Sequence, residues 1–306
     1  MVEDLVILGS GPAGLTAALY TSREGFNPLV ITGTDAGGQL LLTTLVENYP
    51  GFPEGVMGPD LIERMKKQAE HFGTRFASDY VTDVDFSSRP FKIKTEGKEY
   101  EARCLIIATG ASAKRLGLES EVRLFGRGIS TCGTCDGPLF KNKNVVVIGG
   151  GDTAMEDSEF LTKFAASVTI IHRRGEFRAS KIMQDRVLNN PKIKVVWNSE
   201  VDEILGESRF EAVRIKNVNT GEITEIKADG MFLAIGYNPN TSFLKGKIKL
   251  DEQGYIITKD EVKTEIEGLF IAGDVSDRIY RQAITAAASG TKAALEARAY
   301  LQMHTK

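Results

Sequence analysis

The chain has 306 residues, of which 42% are hydrophobic and 26% charged; the length suits two domains of about 150 residues, and the composition is too apolar for disorder. Lysine and arginine number 38 against 41 acids, a net charge of −3, so there is no global electrostatic reason to bind nucleic acid or an anionic membrane. No window nears the roughly 18 apolar residues of a spanning helix, and acidic Glu3 and Asp4 stand where a signal peptide would be basic. A soluble, cytoplasmic protein is expected, and 3 cysteines exclude an extracellular disulfide framework.

The first element is the apolar run Leu5–Leu8, which predicts a strand. It enters Gly9-Ser10-Gly11-Pro12-Ala13-Gly14 and a small-residue helical pattern that stops near Gly25. Strand, G-x-G-x-x-G turn and helix together let the pyrophosphate of a dinucleotide meet backbone N–H groups at a helix N-terminus. No lysine or arginine lies between Arg23 and Arg64, so a ribose 2′-phosphate at this site would lack a local counter-charge, and Asp35 or a backbone group is left to meet the ribose. A further apolar strand, Cys104–Ala108, closes on Thr109-Gly110, with Cys104 read as a buried core thiol.

Next comes Cys132-Gly133-Thr134-Cys135, which in a reducing compartment points to redox or metal chemistry. The only histidines, His71, His172 and His304, are not at metal-ligand spacing with it, so no metal is expected. The run Val145–Ile148 then predicts a second strand leading into Gly149-Gly150-Gly151-Asp152-Thr153-Ala154, with a helix to about Lys163 and a strand at Val168–Ile171. Met231–Ala234 closes on Ile235-Gly236 as Cys104–Ala108 does on Thr109-Gly110, so the unit is duplicated. After the second copy the strand delivers His172-Arg173-Arg174, with Arg178 following. Guanidiniums there suit a 2′-phosphate and predict NADPH over NADH. Trp197 reads as a strand aromatic, Lys245–Lys249 as a solvated loop, and Gln282 to about Leu301 as a helix. Two nucleotide sites and a dithiol suggest an electron path from nicotinamide through a flavin relay to a disulfide.

These residues, together with Gly37-Gly38-Gln39-Leu40, Val46-Glu47-Asn48-Tyr49-Pro50-Gly51-Phe52-Pro53, Asp136-Gly137 after the dithiol, and Ala272-Gly273-Asp274-Val275 leading to Tyr280-Arg281-Gln282-Ala283-Ile284, resemble the low-molecular-weight thioredoxin reductases over nearly the whole chain. The resemblance implies an α/β fold of two Rossmann-like three-layer domains. Residues 1–113 and 243–306 would form a discontinuous FAD domain, with an NADPH domain, 114–242, inserted between them. Gly9, Gly11, Pro12, Ala13, Gly14, Gln39, Thr44, Asn48, Thr109, Gly110 and Gly273 would line FAD with Asp35. Asp274 would face its ribityl-pyrophosphate region, and Arg281, Gln282 and Ala283 would sit by the flavin ring. NADPH would fall to Gly149, Gly151, Asp152, Thr153 and Ala154 with His172, Arg173, Arg174 and Arg178.

By the same resemblance Cys135 lies against the flavin and Cys132 attacks thioredoxin or a thioredoxin-like protein. Asp136 is then either the acid that protonates a departing thiolate or an ordinary Asp-Gly-Pro turn residue. One domain would rotate against the other about crossings near Ala113–Leu118 and Tyr237–Ser242, and a homodimer is implied. Arg127 matches a position that contacts thioredoxin, or is a solvated loop charge; Pro138 and Leu139 stand where some members carry consecutive aromatics. Larger flavin disulfide reductases place a cysteine pair near their first glycine motif, and the first 100 residues here hold no cysteine. Rival functions are a ferredoxin-fed flavin disulfide reductase, disfavoured by the arginines, a dithiol oxidase that passes electrons to oxygen, and a non-catalytic nucleotide-binding redox sensor.

Overall fold

In a computed structural model, which describes residues 2–33, 36–43 and 45–304, the strand Val2–Leu8 is buried on both faces from Leu5 onward. Leu5 and Ile7 join one apolar cluster with Ala17, Ala18, Ala293 and Ala297, while Val6 and Leu8 join another with Phe91, Ile93 and Leu105. Such a period-2 division between two layers is what a parallel strand covered on both sides requires. Cys104 lies in the first of these clusters, fully buried, and burial pushes its thiol far above the ordinary range.

The chain forms two units, Met1–Ser112 with Asn238–Lys306, and Ala113–Tyr237. Among the described residues the first holds a seven-stranded sheet. Arg75–Ala77, Leu29–Ile31, Val2–Leu8, Glu99–Ile107 and Leu269–Ile271 run parallel. The antiparallel strands Phe91–Thr95 and Val81–Asp85 extend it from the first half of Glu99–Ile107. Helices Pro12–Arg23 and Ala283–His304 pack on one face.

The second unit, again among the described residues, has a five-stranded parallel sheet ordered Ile129–Ser130, Gly230–Ala234, Asn144–Gly149, Ser167–Ile171, Ile193–Val196. Val145, Val147 and Phe232 pack with Met155 on one side; Val146, Ile148 and Leu233 pack with Phe210 and Val213 on the other. Phe210 lies between the first two strands of the antiparallel sheet Ser199–Leu205, Ala212–Asn217, Ile223–Lys227, and Val213 belongs to its second strand. The fold is mixed α/β with parallel sheets.

The duplication extends to single atoms. Gly9 has φ +106°, and a Cβ there would sit 2.3 Å from the Ala108 carbonyl oxygen; Gly149 has φ +155°, and its Cβ would sit 2.4 Å from that of Ala234. Both glycines are needed because the closing strand passes so near, and because L side chains avoid that backbone conformation. The second crossing between units falls after Tyr237, ahead of the residue-242 boundary read from the sequence. Asn240 explains the difference: its amide donates to the Thr109 carbonyl (2.8 Å), its N–H to Gly110 (3.0 Å), and its carbonyl accepts from the Thr109 hydroxyl (2.9 Å). No helix among the described residues is long and apolar enough to cross a membrane.

Candidate active site

Gly11 caps helix Pro12–Arg23 with no side-chain hydrogen bond, and a Cβ on Gly11 would meet nothing within 4 Å. The orphan N–H groups of the first turn therefore face room for a phosphate. Other predicted residues gather here. A Cβ on Gly38, one residue before Gln39, would lie 3.8 Å from the Gly11 Cα, and one on Gly273 would lie 2.8 Å from the Ala13 methyl. Asn48 donates to the Gln282 amide oxygen at 3.3 Å across 234 residues of chain.

Asp274 follows Gly273, and its Oδ1 is buried without a hydrogen-bond partner among the described residues. Burial, reinforced by the Asp277 carboxylate and opposed by Arg281, pushes its carboxyl up to about 7. An orphaned acceptor of this kind fits a sugar or ribityl hydroxyl, which would supply the missing donor. Arg281 holds φ +48°. Its N–H donates to Asp277 Oδ2 (3.3 Å), and Asp277 Oδ1 accepts from the N–H groups of Ile279 and Tyr280, both at 2.9 Å. Gln282 and Ala283 open the long C-terminal helix, the Gln282 N–H being capped by Thr285. Asp35 and Thr44 lie outside the described residues.

The second glycine turn repeats the arrangement. Gly151 caps helix Asp152–Leu161 with no side-chain hydrogen bond, and its Cβ would again meet nothing within 4 Å. The third motif position is Ala154, fully buried at the start of the helix, where the first copy has Gly14. Asp152 accepts from the Ser180 N–H at 2.9 Å, and Arg178 donates its N–H to the Gly150 carbonyl at 2.8 Å. Both bonds bring the basic turn to the glycine motif.

Arg173, Arg174 and Arg178 are exposed, whereas His172 is only 5% exposed. Its ring lies where a Cβ on Gly150 would be, packs on Phe177 and Trp197, and donates from Nε2 to the Glu176 carbonyl at 3.0 Å. Burial, then the three arginines, pull its pKa down, partly offset by that hydrogen bond. A neutral, buried imidazole shores up the turn from which the guanidiniums project. Trp197 lies one residue past the strand Ile193–Val196 and completes this aromatic support with Phe177; sequence reasoning set it aside because its partners are distant in the chain.

Cys132 and Cys135 are joined in a disulfide with Cα atoms 5.3 Å apart; Cys132 caps the one-turn helix Gly133–Asp136, which contains Cys135. A Cβ on Gly133 would lie 2.6 Å from the buried Asp157 carboxylate on helix Asp152–Leu161, so the dithiol turn packs on the helix that starts at the second glycine site. Ser130 Oγ accepts from the Cys132 N–H at 3.0 Å and also bonds Asp136. Burial raises the Asp136 carboxyl above the ordinary carboxylate range, with the Ser130 hydroxyl opposing. Among the described residues no group of three or more His, Cys, Asp or Glu is placed to hold a metal ion.

A family model described as pyridine nucleotide-disulphide oxidoreductase matches residues 3–290. The chain is 52% identical over 302 residues to thioredoxin reductase of Rickettsia prowazekii (strain Madrid E), covering 97% of each chain. Its structure is similar to thioredoxin reductase from Giardia duodenalis, with a TM-score of 0.93, 42% identity and 99% of both chains covered. It is equally similar to thioredoxin reductase from Streptococcus pyogenes MGAS5005, at TM-score 0.94, 39% identity and 99% of both chains. With two glycine turns, two closing strands and one cysteine pair within that span, the chain belongs to the pyridine nucleotide-disulphide oxidoreductase family.

Proposed function

We propose that this chain is a thioredoxin reductase: an NADPH-dependent flavoprotein, homodimeric and cytoplasmic, that reduces the disulfide of thioredoxin or a thioredoxin-like protein. The observation that carries this is the closed Cys132–Cys135 bond, which shares one unit with the second glycine turn and its exposed arginines, on a chain that also holds the first glycine turn and the orphaned Asp274. FAD would be held by the Gly9–Gly14 turn, Asp274, Asn48, Gln282 and Arg281, and NADPH by the Gly149–Ala154 turn and Arg173, Arg174 and Arg178. Bound flavin would supply two-electron chemistry between a nicotinamide and a disulfide.

The chain's own part is thiol exchange. Once the pair is reduced, the Cys132 thiolate attacks one sulfur of the partner disulfide, forming a mixed disulfide and releasing one partner thiolate. Cys135 then attacks Cys132 Sγ, which re-forms the Cys132–Cys135 bond and frees the second partner thiol, so two electrons leave the chain. Asp136, kept protonated to higher pH by burial, can deliver a proton to a departing sulfur. NADPH oxidation driven by thioredoxin disulfide tests the proposal: wild type turns over and Cys132→Ser does not. Colourless protein, or NADPH consumption indifferent to Cys132→Ser, overturns it.

A further inference from the structure

The phenol of Tyr237 donates a 2.8 Å hydrogen bond to the Thr131 carbonyl, 106 residues earlier in the chain. That carbonyl and the Cys132 N–H belong to a single peptide unit, and the N–H is taken by Ser130 Oγ at 3.0 Å. The plane between Thr131 and Cys132 is therefore pinned at both ends. Because a peptide unit is rigid, pinning both ends fixes the Cys132 Cα that the plane carries, and the Cys132 sulfur in turn accepts from the Cys135 N–H at 3.2 Å. The two pins have different origins. Ser130 ends the strand Ile129–Ser130, next to the cysteines. Tyr237 is the last residue of the inserted unit and begins the strand Tyr237–Pro239, which pairs with Ala111–Ala113. Its predecessor Gly236, at φ +100°, accepts from the Lys114 N–H at 2.9 Å. The phenol is thus carried by backbone that is itself fixed where the chain leaves the unit.

Resting on the function proposed above, we infer that Tyr237 is a positioning residue for the dithiol: through the Thr131 carbonyl it sets how Cys132 is presented for thiol exchange. Tyr237→Phe removes the hydroxyl and keeps the ring. With thioredoxin disulfide, kcat should fall about fivefold, the size expected of one net neutral hydrogen bond, with the KM for NADPH unchanged. Ferricyanide takes electrons from reduced flavin without needing the dithiol, and its NADPH-dependent reduction should stay at the wild-type rate. A second measurement needs no turnover: after dithiothreitol reduction, alkylation of Cys132 by iodoacetamide, followed by mass mapping, should change rate several-fold in Tyr237→Phe. Wild-type values in both thiol assays, or equal losses with both acceptors, overturn the positioning role. Wild-type protein that reduces neither acceptor with NADPH overturns the proposed function instead, and the role of Tyr237 with it.

Discussion

Asp274 is a carboxyl whose environment favours the neutral form: its Oδ1 is buried without a partner, Asp277 stands close, and only Arg281 pulls the other way. Between its ordinary value of 3.8 and about 7 the folded chain keeps this proton while the unfolded chain has lost it. More protons bound in the native state means that stability falls as pH rises through that window and levels above it. The loss can reach roughly 4 kcal/mol. Denaturant midpoints of flavin-free protein at pH 5 and pH 7.5 should therefore drop for wild type and drop much less for Asp274→Asn; parallel lines for the two proteins would contradict the assignment. Asp277 adds a second effect at this scale. Three backbone N–H groups converge on its carboxylate, and together they hold Arg281 in a left-handed conformation that a non-glycine residue adopts only when its surroundings impose it.

Helix Ala283–His304 meets helix Pro12–Arg23 through glycine. A Cβ on Gly290 would lie 2.1 Å from the Ala13 carbonyl oxygen, and backbone cannot yield as the tip of a side chain can. Gly290→Ala must push the helices apart, at about 1–3 kcal/mol or somewhat more. Since Ala13 sits in the first turn after Gly11, the same change should loosen flavin; a lower melting temperature with FAD released on gel filtration is the expected result, and wild-type melting would refute it. The long helix itself was legible as an alanine-rich run, and the two strand–glycine–helix units were legible because each is a contiguous pattern with a local physical cause. Gly290 was not legible as a contact, nor were Trp197 under His172, Asn240 on Thr109, or Tyr237 on Thr131, because each depends on a partner in a distant segment. Read as a phosphate ligand, His172 looked like its neighbours Arg173 and Arg174; only its burial against Gly150 separates the prop from the groups it supports.

Across the whole chain, one design occurs twice and differs mainly in charge. Both copies open on an uncapped glycine and close on an alanine carbonyl pressed against the leading glycine, so backbone geometry alone does not distinguish their nucleotides. The first copy has no lysine or arginine between Arg23 and Arg64, whereas the second carries Arg173, Arg174 and Arg178 after its second strand, all exposed, on a molecule whose net charge of −3 offers no general attraction for phosphate. Under the proposed function, discrimination between NADPH and NADH would rest on these guanidiniums. A charge-assisted hydrogen bond is worth about 1.5–3 kcal/mol, so Arg173→Gln with Arg174→Gln should lower kcat/KM for NADPH by about a hundredfold. NADH has no 2′-phosphate to lose contact with, and its kcat/KM should change less than about twofold. Because the guanidiniums are solvent-exposed, the wild-type KM for NADPH should rise with ionic strength and the double variant should lose most of that dependence. Equal losses for the two coenzymes would place the 2′-phosphate elsewhere and leave the arginines a structural part in the turn, whereas a loss confined to NADPH assigns the coenzyme preference to the one respect in which the copies differ most.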